Sequence, residues 1–554
     1  MHNFIDAREN ELLIEHENKK QLIESKRVHG YLSAMPEVAT FGVSNAEVID
    51  SVLVTWPSGN FVKKTNVAVN QTIEVNASTK TNYSEPIRDN TKSKLYKQSN
   101  TLGLTFEHRE NSYDDFAKEI LLPYKQSTLG PFITTADVNN DGLEDVFIGG
   151  ASGQASALFL QTKNGFEATT QPAFIKDAAH EDMQALFFDA DADGNLDIFI
   201  PSGGNAFVEN HPNYTDRLYL NDGNGRFTKN NQPAIQANKV ASKTAISLDY
   251  DGDGDLDLIV GTRIIPQKYP SPAPNFIFEN ENGTFKDVTN TISQEWQQFG
   301  IVNQIIITDF NQDGQGDFVA VGEWGSIGFF EYREKQFKLM SNALGVDTHK
   351  GWWFSITEAD LNHDSRPDYI VGNAGKNIKF SASAKKPFTV YGNDFDDNGT
   401  FDIVLSKQYN GKQVPVRGRE CSSQQMPFIL DKFETYADFA SASLQDIYGD
   451  KLESAVYGEV NTLQSIALIQ NEDGTFQAKD LPNLAQSFPL LTAVQVPLNG
   501  NKKALLLAGA IFDTEVETPR LDFDSGLELR YSSSDFESVN WLQDQLGLSG
   551  NIKD

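Results

Sequence analysis

Six short acidic segments are the residues of this chain whose types and spacing most clearly imply chemistry. They are DVNNDGLED from Asp137, DADADGNLD from Asp189, DYDGDGDLD from Asp249, DFNQDGQGD from Asp309, DLNHDSRPD from Asp360 and DFDDNGTFD from Asp394, called loops 1 to 6 below. Each has oxygen-bearing side chains at positions 1, 3, 5 and 9. A backbone carbonyl at position 7 completes the set, and all but loop 5 have Gly at position 6 for a sharp turn. Oxygen ligands at this spacing predict calcium sites.

The predicted ligands occupy positions 1, 3, 5, 7 and 9 of each loop, with position 7 contributing its carbonyl oxygen. They are Asp137, Asn139, Asp141, Leu143 and Asp145; Asp189, Asp191, Asp193, Asn195 and Asp197; Asp249, Asp251, Asp253, Asp255 and Asp257; Asp309, Asn311, Asp313, Gln315 and Asp317; Asp360, Asn362, Asp364, Arg366 and Asp368; and Asp394, Asp396, Asn398, Thr400 and Asp402. The number of ions predicted is five or six, because loop 5 has Ser365 in place of Gly.

Other interpretations of the loops fit less well. An EF-hand needs a bidentate Glu at position 12, where these loops have Ile148, Ile200, Val260, Ala320, Val371 and Leu405. Zinc prefers nitrogen or sulfur ligands, which none of the predicted positions supplies, and Cys421 is the only cysteine. Simple polar turns remain the alternative, but clustered carboxylates without a cation repel one another.

Strand-like apolar runs flank the loops and must position them. FITTA precedes loop 1 and VFIGG follows it, and AISL and LIV flank loop 3 in the same way. A second turn signal follows in most units, as in NDGNGRF at 221–227 and NEDGTF at 471–476, so each unit contains two hairpins. Two hairpins form a four-stranded blade that must stack on similar blades. Residues 484–545 have the strand pattern without the acids, and the sequence therefore predicts an all-β, seven-bladed β-propeller.

Charge and hydropathy limit the partners. The net charge of −31, from 77 acidic and 46 basic residues, disfavours nucleic acid and anionic membrane surfaces. No apolar run reaches the ~18 residues of a membrane span. The opening MHNFIDAREN has no signal-peptide pattern. If the protein is exported, as the resemblance described next implies, we expect its N-terminus to be truncated.

The acidic loops resemble the FG-GAP/VCBS repeat, and the resemblance covers about residues 130–545. Residues 28–75, with FGV at 41–43 and WPSG at 56–59, resemble the ASPIC/UnbV domain. The pair resembles bacterial relatives of the cartilage acidic protein family, which are anchored or secreted. The expected domains are a small β-rich ASPIC/UnbV module at 1–76, a polar linker at 77–100 and a propeller at 101–554, with a helical insertion in the sixth blade at about 409–455.

A binding function is expected rather than catalysis, because the sequence has no GxSxG, no HExxH and no nucleophile beside a base. The predicted protein binds calcium at the cell surface or outside the cell and holds a protein or matrix ligand. The alternatives are a glycan-recognition component of a bacterial uptake system and a glycan-active enzyme. Candidate ligand-binding residues follow the acidic loops in the chain: Arg263, Glu323, Trp324, Trp352 and Trp353. Packing of the tryptophans between blades is the alternative role for them.

Overall fold

A computed structural model describes residues 10–16, 19–25, 38–56, 61–76, 102–497, 503–522, 526–532 and 535–541. The chain forms two compact units, residues 1–93 and residues 94–554. The predicted linker at 77–100 and most of the WPSG segment lie outside the described residues. Among the described helices, none is long and apolar enough to cross a membrane.

The first unit contains a four-stranded antiparallel sheet in the order β2-β1-β3-β4. Its strands are β1 (Asn10–His16), β2 (Lys19–Ser25), β3 (Val48–Thr55) and β4 (Phe61–Ala68). Alternate residues of β3 face the core, where Val52 and Val54 pack with Ile14, as the period-2 pattern of a half-buried strand requires. Phe41 and Val43 of the FGV segment pack against the same core.

The second unit contains seven four-stranded antiparallel sheets in its described residues. In chain order the first four are sheet 1, with β5 (Ile133–Ala136), β6 (Asp145–Ile148), β7 (Ala157–Thr162) and β8 (Gly165–Ala168); sheet 2, with β9 (Leu186–Phe188), β10 (Asp197–Ile200), β11 (Arg217–Asn221) and β12 (Phe227–Asn230); sheet 3, with β13 (Ser242–Leu248), β14 (Asp257–Thr262), β15 (Phe276–Glu281) and β16 (Thr284–Asp287); and sheet 4, with β17 (Gln304–Thr308), β18 (Asp317–Val321), β20 (Gly328–Arg333) and β21 (Gln336–Leu339). A short two-stranded sheet pairs β19 (Glu323–Ser326) with β22 (Lys350–Trp352).

The last three sheets are not formed by consecutive runs of four strands. Sheet 5 contains β23 (Ser355–Ala359), β24 (Asp368–Gly372), β29 (Ile466–Gln470) and β30 (Phe476–Asp480); the nested sheet contains β25 (Phe388–Asn393), β26 (Asp402–Tyr409), β27 (Lys412–Pro415) and β28 (Val456–Val460); and the last sheet contains β31 (Thr492–Pro497), β32 (Lys503–Ala508), β33 (Leu527–Ser532) and β34 (Asp535–Trp541). The nested sheet therefore lies, in the chain, between the second and third strands of sheet 5.

Helices in the described residues are short. They are α1 (Pro172–Lys176), α2 (Pro233–Ala237), α3 (Thr289–Ile292), α4 (Gln294–Gln297), α5 (Arg419–Gln425), α6 (Phe428–Lys432), α7 (Tyr436–Ser441) and α8 (Leu444–Tyr448), with 3-10 turns at Asp115–Ala117, Pro212–Tyr214, Gly449–Leu452 and Asn483–Gln486. The helices α5 to α8 lie inside the predicted insertion at 409–455 and pack on β26 of the nested sheet through Met426, Ile429 and Tyr448. The chain between β27 and β28 is therefore largely helical.

Consecutive sheets stack face to face through shared apolar cores. Phe147 of sheet 1 packs with Tyr219 of sheet 2, and equivalent clusters join sheets 2 and 3, 3 and 4, and 4 and 5. The next cluster joins sheet 5 directly to the last sheet, through residues such as Ile370 and Leu505. The prediction of an all-β chain of four-stranded antiparallel sheets is confirmed, and the stacking is propeller-like.

The position predicted for the sixth blade is wrong. The nested sheet, which contains loop 6, does not separate sheet 5 from the last sheet, because β24 pairs with β29 in the register Tyr369↔Leu468 and the last sheet packs on sheet 5. The turn NEDGTF at 471–476 therefore joins the outer strands of sheet 5 and not those of the sixth unit. The chain between loops 5 and 6 is too short for a second hairpin, so sheet 5 is completed only after the nested sheet.

Candidate metal loops and the buried polar centre

All six acidic loops connect the first and second strands of a sheet in the same way. The second strand always begins at position 9, at Asp145, Asp197, Asp257, Asp317, Asp368 and Asp402. These strands are buried along most of their length, because they pack between neighbouring sheets. The loops are thus anchored at one side by the most buried strand of each sheet.

The backbone of each loop is folded around its own side chains. The position-1 carboxylate accepts a hydrogen bond from the position-6 N–H in every loop, as in Gly142 N to Asp137 Oδ2 at 2.8 Å. The position-5 side chain accepts from the position-7 N–H, as in Leu143 N to Asp141 Oδ1 at 2.9 Å. These bonds orient the side chains at positions 1 and 5 towards the inside of the loop.

Positions 4 and 6 of every loop have left-handed backbone angles. At position 6 the φ values run from 65° at Ser365 to 97° at Gly254, which explains the preference for Gly at this position. At position 4 five of the six residues are not glycine, with φ near 59° at Asn140, for example. The sequence analysis did not identify position 4 as a turn position.

The position-9 aspartates brace the sheets as well as facing the loops. In loop 1, Asp145 Oδ2 accepts from Val138 N at 3.0 Å and Oδ1 accepts from Gln161 N, in the third strand, at 2.7 Å. The same pair of bonds recurs in loops 2, 3 and 5. A carboxylate oxygen has two lone-pair directions, so each of these oxygens can accept a backbone N–H and still contact a cation.

Three loops bring carboxylate oxygens within 4.8 Å of one another, which is the spacing of ligands around one ion. These groups are Asp189, Asp191 and Asp197; Asp249, Asp251 and Asp257; and Asp394, Asp396 and Asp402. They combine positions 1, 3 and 9. The other three loops have Asn139, Asn311 and Asn362 at position 3, so they offer an amide oxygen there instead of a third carboxylate.

Several carboxylate oxygens of the acidic loops are buried without a hydrogen-bond partner. They are Asp189 Oδ1 and Asp191 Oδ1 in loop 2, Asp317 Oδ2 in loop 4, and Asp396 Oδ1 and Asp402 Oδ1 in loop 6. A buried, unpartnered carboxylate oxygen is costly unless a cation satisfies it. The residues present therefore fit a hard divalent cation such as calcium, which takes oxygen ligands.

Burial raises the pKa of the position-9 carboxyls in spite of their backbone donors. The pKa of Asp197 rises to about 6, and the pKa values of Asp257, Asp317 and Asp402 rise to about 7. Neighbouring aspartates of the same loops raise them further. A bound cation would have the opposite effect, because it stabilises the ionised form.

Loop 5 differs from the other loops in its charge. The guanidinium of Arg366, at position 7, forms an ion pair with Asp364 Oδ2, at position 5. Ser365 has the left-handed φ of 65° that glycine takes in the other loops. A cation in loop 5 would have to share Asp364 with an existing positive charge.

Amide side chains of third strands join three of the loops to the next sheet. Asn221 of sheet 2 donates to the carbonyl of Val138 in loop 1 at 2.8 Å, and Asn280 of sheet 3 donates to Ala190 in loop 2 at 3.0 Å. Gln470 of sheet 5 donates to Phe310 in loop 4 at 2.6 Å. These residues were not predicted, although Asn221 opens the turn NDGNG and Asn280 opens the turn NENG.

Four of the five predicted ligand-binding residues meet in one buried cluster. Glu323 Oε1 accepts from Tyr124 Oη at 2.5 Å and from Arg263 Nη2 at 2.6 Å. Its Oε2 accepts from Trp352 Nε1 and from Tyr269 Oη, both at 2.7 Å, and Trp324 Nε1 donates to Tyr269 Oη. Burial alone would raise the pKa of Glu323, but Arg263 and these donors hold it below its usual range. We call these six residues the central cluster.

Trp353, the fifth predicted residue, lies apart from the central cluster. It packs between sheets 4 and 5 with Phe329 and Tyr369, and its indole donates to the carbonyl of Gly325 at 3.1 Å. All three predicted tryptophans are at most 9% exposed. Their ligand-binding role stays a prediction, and the structure places each of them in a packed core.

These features define a class of protein: a repeat protein of stacked four-stranded antiparallel sheets, in which an acidic loop joins the first two strands of a sheet. The family model described as ASPIC and UnbV matches residues 6–82, and the model described as FG-GAP-like repeat matches residues 137–200, 206–260, 249–320 and 309–371. The chain is an FG-GAP repeat protein with an ASPIC/UnbV domain. The resemblance predicted from the loops and from the FGV and WPSG segments is confirmed.

Among solved structures, the chain is similar to BBS1N in complex with ARL6DN, in crystals soaked with mercury or with lead. The first comparison has 9% identity, covers 76% of this chain and 82% of the other, and has a TM-score of 0.34. The second has 10% identity, covers 77% and 84%, and has a TM-score of 0.32. A search of curated proteins found no match.

Proposed function

We propose that this protein is a calcium-binding β-propeller that serves as a binding module for a protein or matrix ligand at the cell surface or outside the cell. The observation that carries the proposal is the set of three carboxylate groups at positions 1, 3 and 9, two of which, in loops 2 and 6, contain buried oxygens without a hydrogen-bond partner. The loops fold with left-handed turns and internal hydrogen bonds that give an ion several oxygens at once. Calcium accepts six to eight such ligands in flexible geometry.

Calorimetric titration of calcium into chelator-stripped protein tests the metal part of the proposal. Five or six ions are expected, with saturable binding and a higher melting temperature in the loaded protein, because the ion binds the folded loops better than the unfolded chain. The double variant D249N/D251N removes two carboxylates from loop 3 and should lower the stoichiometry by one. The matched control D222N/D287N changes two exposed aspartates outside the loops. An unchanged melting temperature after calcium addition would contradict the proposal.

The hydrogen bonds already made by the carboxylates support a non-enzymatic role. The loop acids accept backbone hydrogen bonds that shape the turns, and Glu323 accepts from four donors, one of them Arg263, in a closed cluster. A glycosidase needs two carboxyls facing one open cleft. Assay of the calcium-loaded protein against a panel of glycosides tests this, and turnover that depends on Glu323 would overturn it.

A protein or matrix ligand is favoured over a glycan by the burial of the aromatic residues. Sugar rings stack on exposed aromatic faces, but Trp324, Trp352 and Trp353 are packed in cores. Binding to an immobilised panel of extracellular proteins and, in parallel, to an oligosaccharide panel separates the two, with calcium and with chelator. Retention by oligosaccharides alone would favour the glycan-recognition alternative.

An extracellular or surface location is proposed because FG-GAP repeats are typical of such proteins. Protease treatment of intact cells tests it directly, with a cytoplasmic protein as the control. Degradation of the propeller in intact cells is expected. Resistance in intact cells, with degradation after lysis, would contradict a surface location.

A further inference from the structure

A pocket opens beside the central cluster, at the end of the sheets opposite the acidic loops. Several of its residues follow a second strand, as Arg263 follows β14, or precede a first strand, as Asn303 precedes β17 and Phe354 precedes β23. The acidic loops join the other ends of the same strands. The cavity volume is about 90 Å³.

The pocket is cationic in a strongly acidic chain. Lys125, Lys243 and Arg263 line it together with one acidic residue, Asp513. The Arg263 guanidinium is paired with Glu323, and the Asp513 carboxylate accepts a hydrogen bond from Thr128 Oγ1 at 2.9 Å. Lys243 Nζ lies 3.9 Å from the centroid of the Phe132 ring. The Lys125 ammonium has no carboxylate at ion-pair distance in the described part of the chain.

Arg263 offers a second, independent sign of an incomplete site. It is 3% exposed, and its Nε is buried without a hydrogen-bond partner, although its Nη atoms bond to Asn303, Gln126 and Glu323. A buried donor without an acceptor is unfavourable. The guanidinium is held at the pocket wall by its Nη bonds, while its Nε has no partner.

The remaining walls are apolar. Leu129, Phe354, Leu491 and Ile511 contribute side chains, so a ligand would meet hydrocarbon around the cationic groups. Pockets of this type, mostly apolar with a few convergent polar groups, are typical of small-molecule sites. An enclosed engineered cavity of about 150 Å³ holds benzene, which has six non-hydrogen atoms, so a 90 Å³ pocket encloses about four. Because this pocket is open, it suits a ligand of about four to six non-hydrogen atoms, of which the last extend into its mouth.

We propose that this pocket binds a small organic carboxylate, with the carboxylate towards Lys125, Lys243 and Arg263 and a short apolar chain against Leu129, Leu491 and Ile511. The site is separate from the acidic loops in the chain and in the fold, and it needs no metal. The proposal therefore stands or falls independently of calcium binding.

Titration of butyrate into the calcium-loaded full chain tests the proposal, with butyramide as the uncharged ligand of the same shape. Methyl-labelled protein should show saturable shifts of the Leu129, Leu491 and Ile511 methyl signals, and Leu218, in the core between sheets 2 and 3, is the control position. Butyrate should bind at least about 5-fold more tightly than butyramide, because the pocket pairs the charge. Equal affinities, or shifts elsewhere only, would overturn the proposal.

The variants K125M and K243M test the two amines, and K163M, on the exposed surface of sheet 1, is the matched control. Each pocket variant should weaken butyrate binding about 3- to 10-fold and leave butyramide binding unchanged, and K163M should have no effect. Unchanged butyrate affinity in both pocket variants would overturn the assignment. If a variant does not fold, the ratio of butyrate to butyramide affinity in the wild-type protein, measured at low and high salt, decides instead, because only an ion-paired ligand loses affinity with salt.

Discussion

At the scale of single residues, the aspartates at positions 3 and 9 of the acidic loops have different structural roles. The position-3 side chain accepts a backbone N–H from within its own loop, as in Asp253 N to Asp251 Oδ1 at 3.2 Å, whereas position 9 also accepts a backbone N–H from the third strand. The distinction could not be predicted from the sequence, because both are aspartates at calcium spacing. It depends on strand pairing, which places a third-strand N–H opposite the start of the second strand.

A comparison of two single substitutions in loop 3 tests this difference. D257N should destabilise the calcium-free protein at about pH 4, by about 1–3 kcal/mol, because the amide cannot accept at both atoms the bonds from Asn280 N and Tyr250 N. At this pH the raised pKa of Asp257 no longer lowers the stability of the wild type, so the lost hydrogen bond is measured alone. D251N should leave the stability in chelator unchanged or raised, because it removes like-charge repulsion, and should reduce the stabilisation by calcium. Urea denaturation with and without calcium measures both. Identical behaviour of the two calcium-free variants at this pH would contradict the bracing role.

Asp216 is a buried acid outside the loops, and its titration makes stability depend on pH. Burial raises its pKa to about 7, with partial compensation from Ser202 N at 2.7 Å and Ser242 Oγ at 2.8 Å. Its pKa in the unfolded chain is about 4, so the folded state prefers the protonated form. The resulting stabilisation is fully present below about pH 4 and is lost as the pH rises towards about 7.

The variant D216N should not lose stability in this way as the pH rises. Its amide can keep both hydrogen bonds, because the carbonyl oxygen accepts from Ser202 N and the amide nitrogen donates to Ser242 Oγ. D216N is expected to be more stable than wild type at pH 8 by about 1–3 kcal/mol and to match it near pH 4. Urea denaturation at several pH values in excess calcium measures the difference, with E167Q, on the exposed edge strand β8, as control. A difference that is the same at pH 4 and pH 8 would argue against this titration.

At the scale of elements, the strand-loop-strand units could be predicted because their apolar runs and their acids recur together. The nested sheet could not be predicted, because no residue pattern in β24 or β29 indicates that these two strands pair with each other. One signal was available: loops 5 and 6 are separated by 34 residues, whereas the other spacings run from 51 to 60. That interval is too short for the usual second hairpin.

Loop 5 is the element whose metal binding should be weakest. The Arg366 guanidinium already neutralises part of the Asp364 charge, and the Arg366 backbone N–H donates to Asp364 Oδ1 at 2.9 Å. The variant R366Q should bind one more ion, or bind the last ion about 10-fold more tightly, because the competing cation is gone. Counting bound calcium by equilibrium dialysis measures this, with R333Q as the control for loss of an exposed arginine. An unchanged count and affinity would mean that Arg366 does not compete.

At the scale of the whole molecule, calcium should stabilise the two units unequally. Residues 94–554 contain all six acidic loops, whereas the sheet of residues 10–68 contains none. Hydrogen exchange after chelation should therefore increase in sheets 1 to 4 and leave β3 and β4 protected as before. Exchange that rises equally in both units would contradict a calcium effect located in the loops. Comparison with the D249N/D251N variant shows how far the loss of one site spreads through the stack.

The nested sheet also sets an order in which the protein can be completed during its synthesis. β24 leaves the ribosome with one edge unpaired, and its partner β29 follows only after the nested sheet and its four helices. At ~5–20 residues per second, this edge waits for roughly 5–20 s. An unpaired edge strand can pair with another nascent chain. The time taken to synthesise and fold residues 388–460 therefore sets how long the growing protein is exposed to such mispairing.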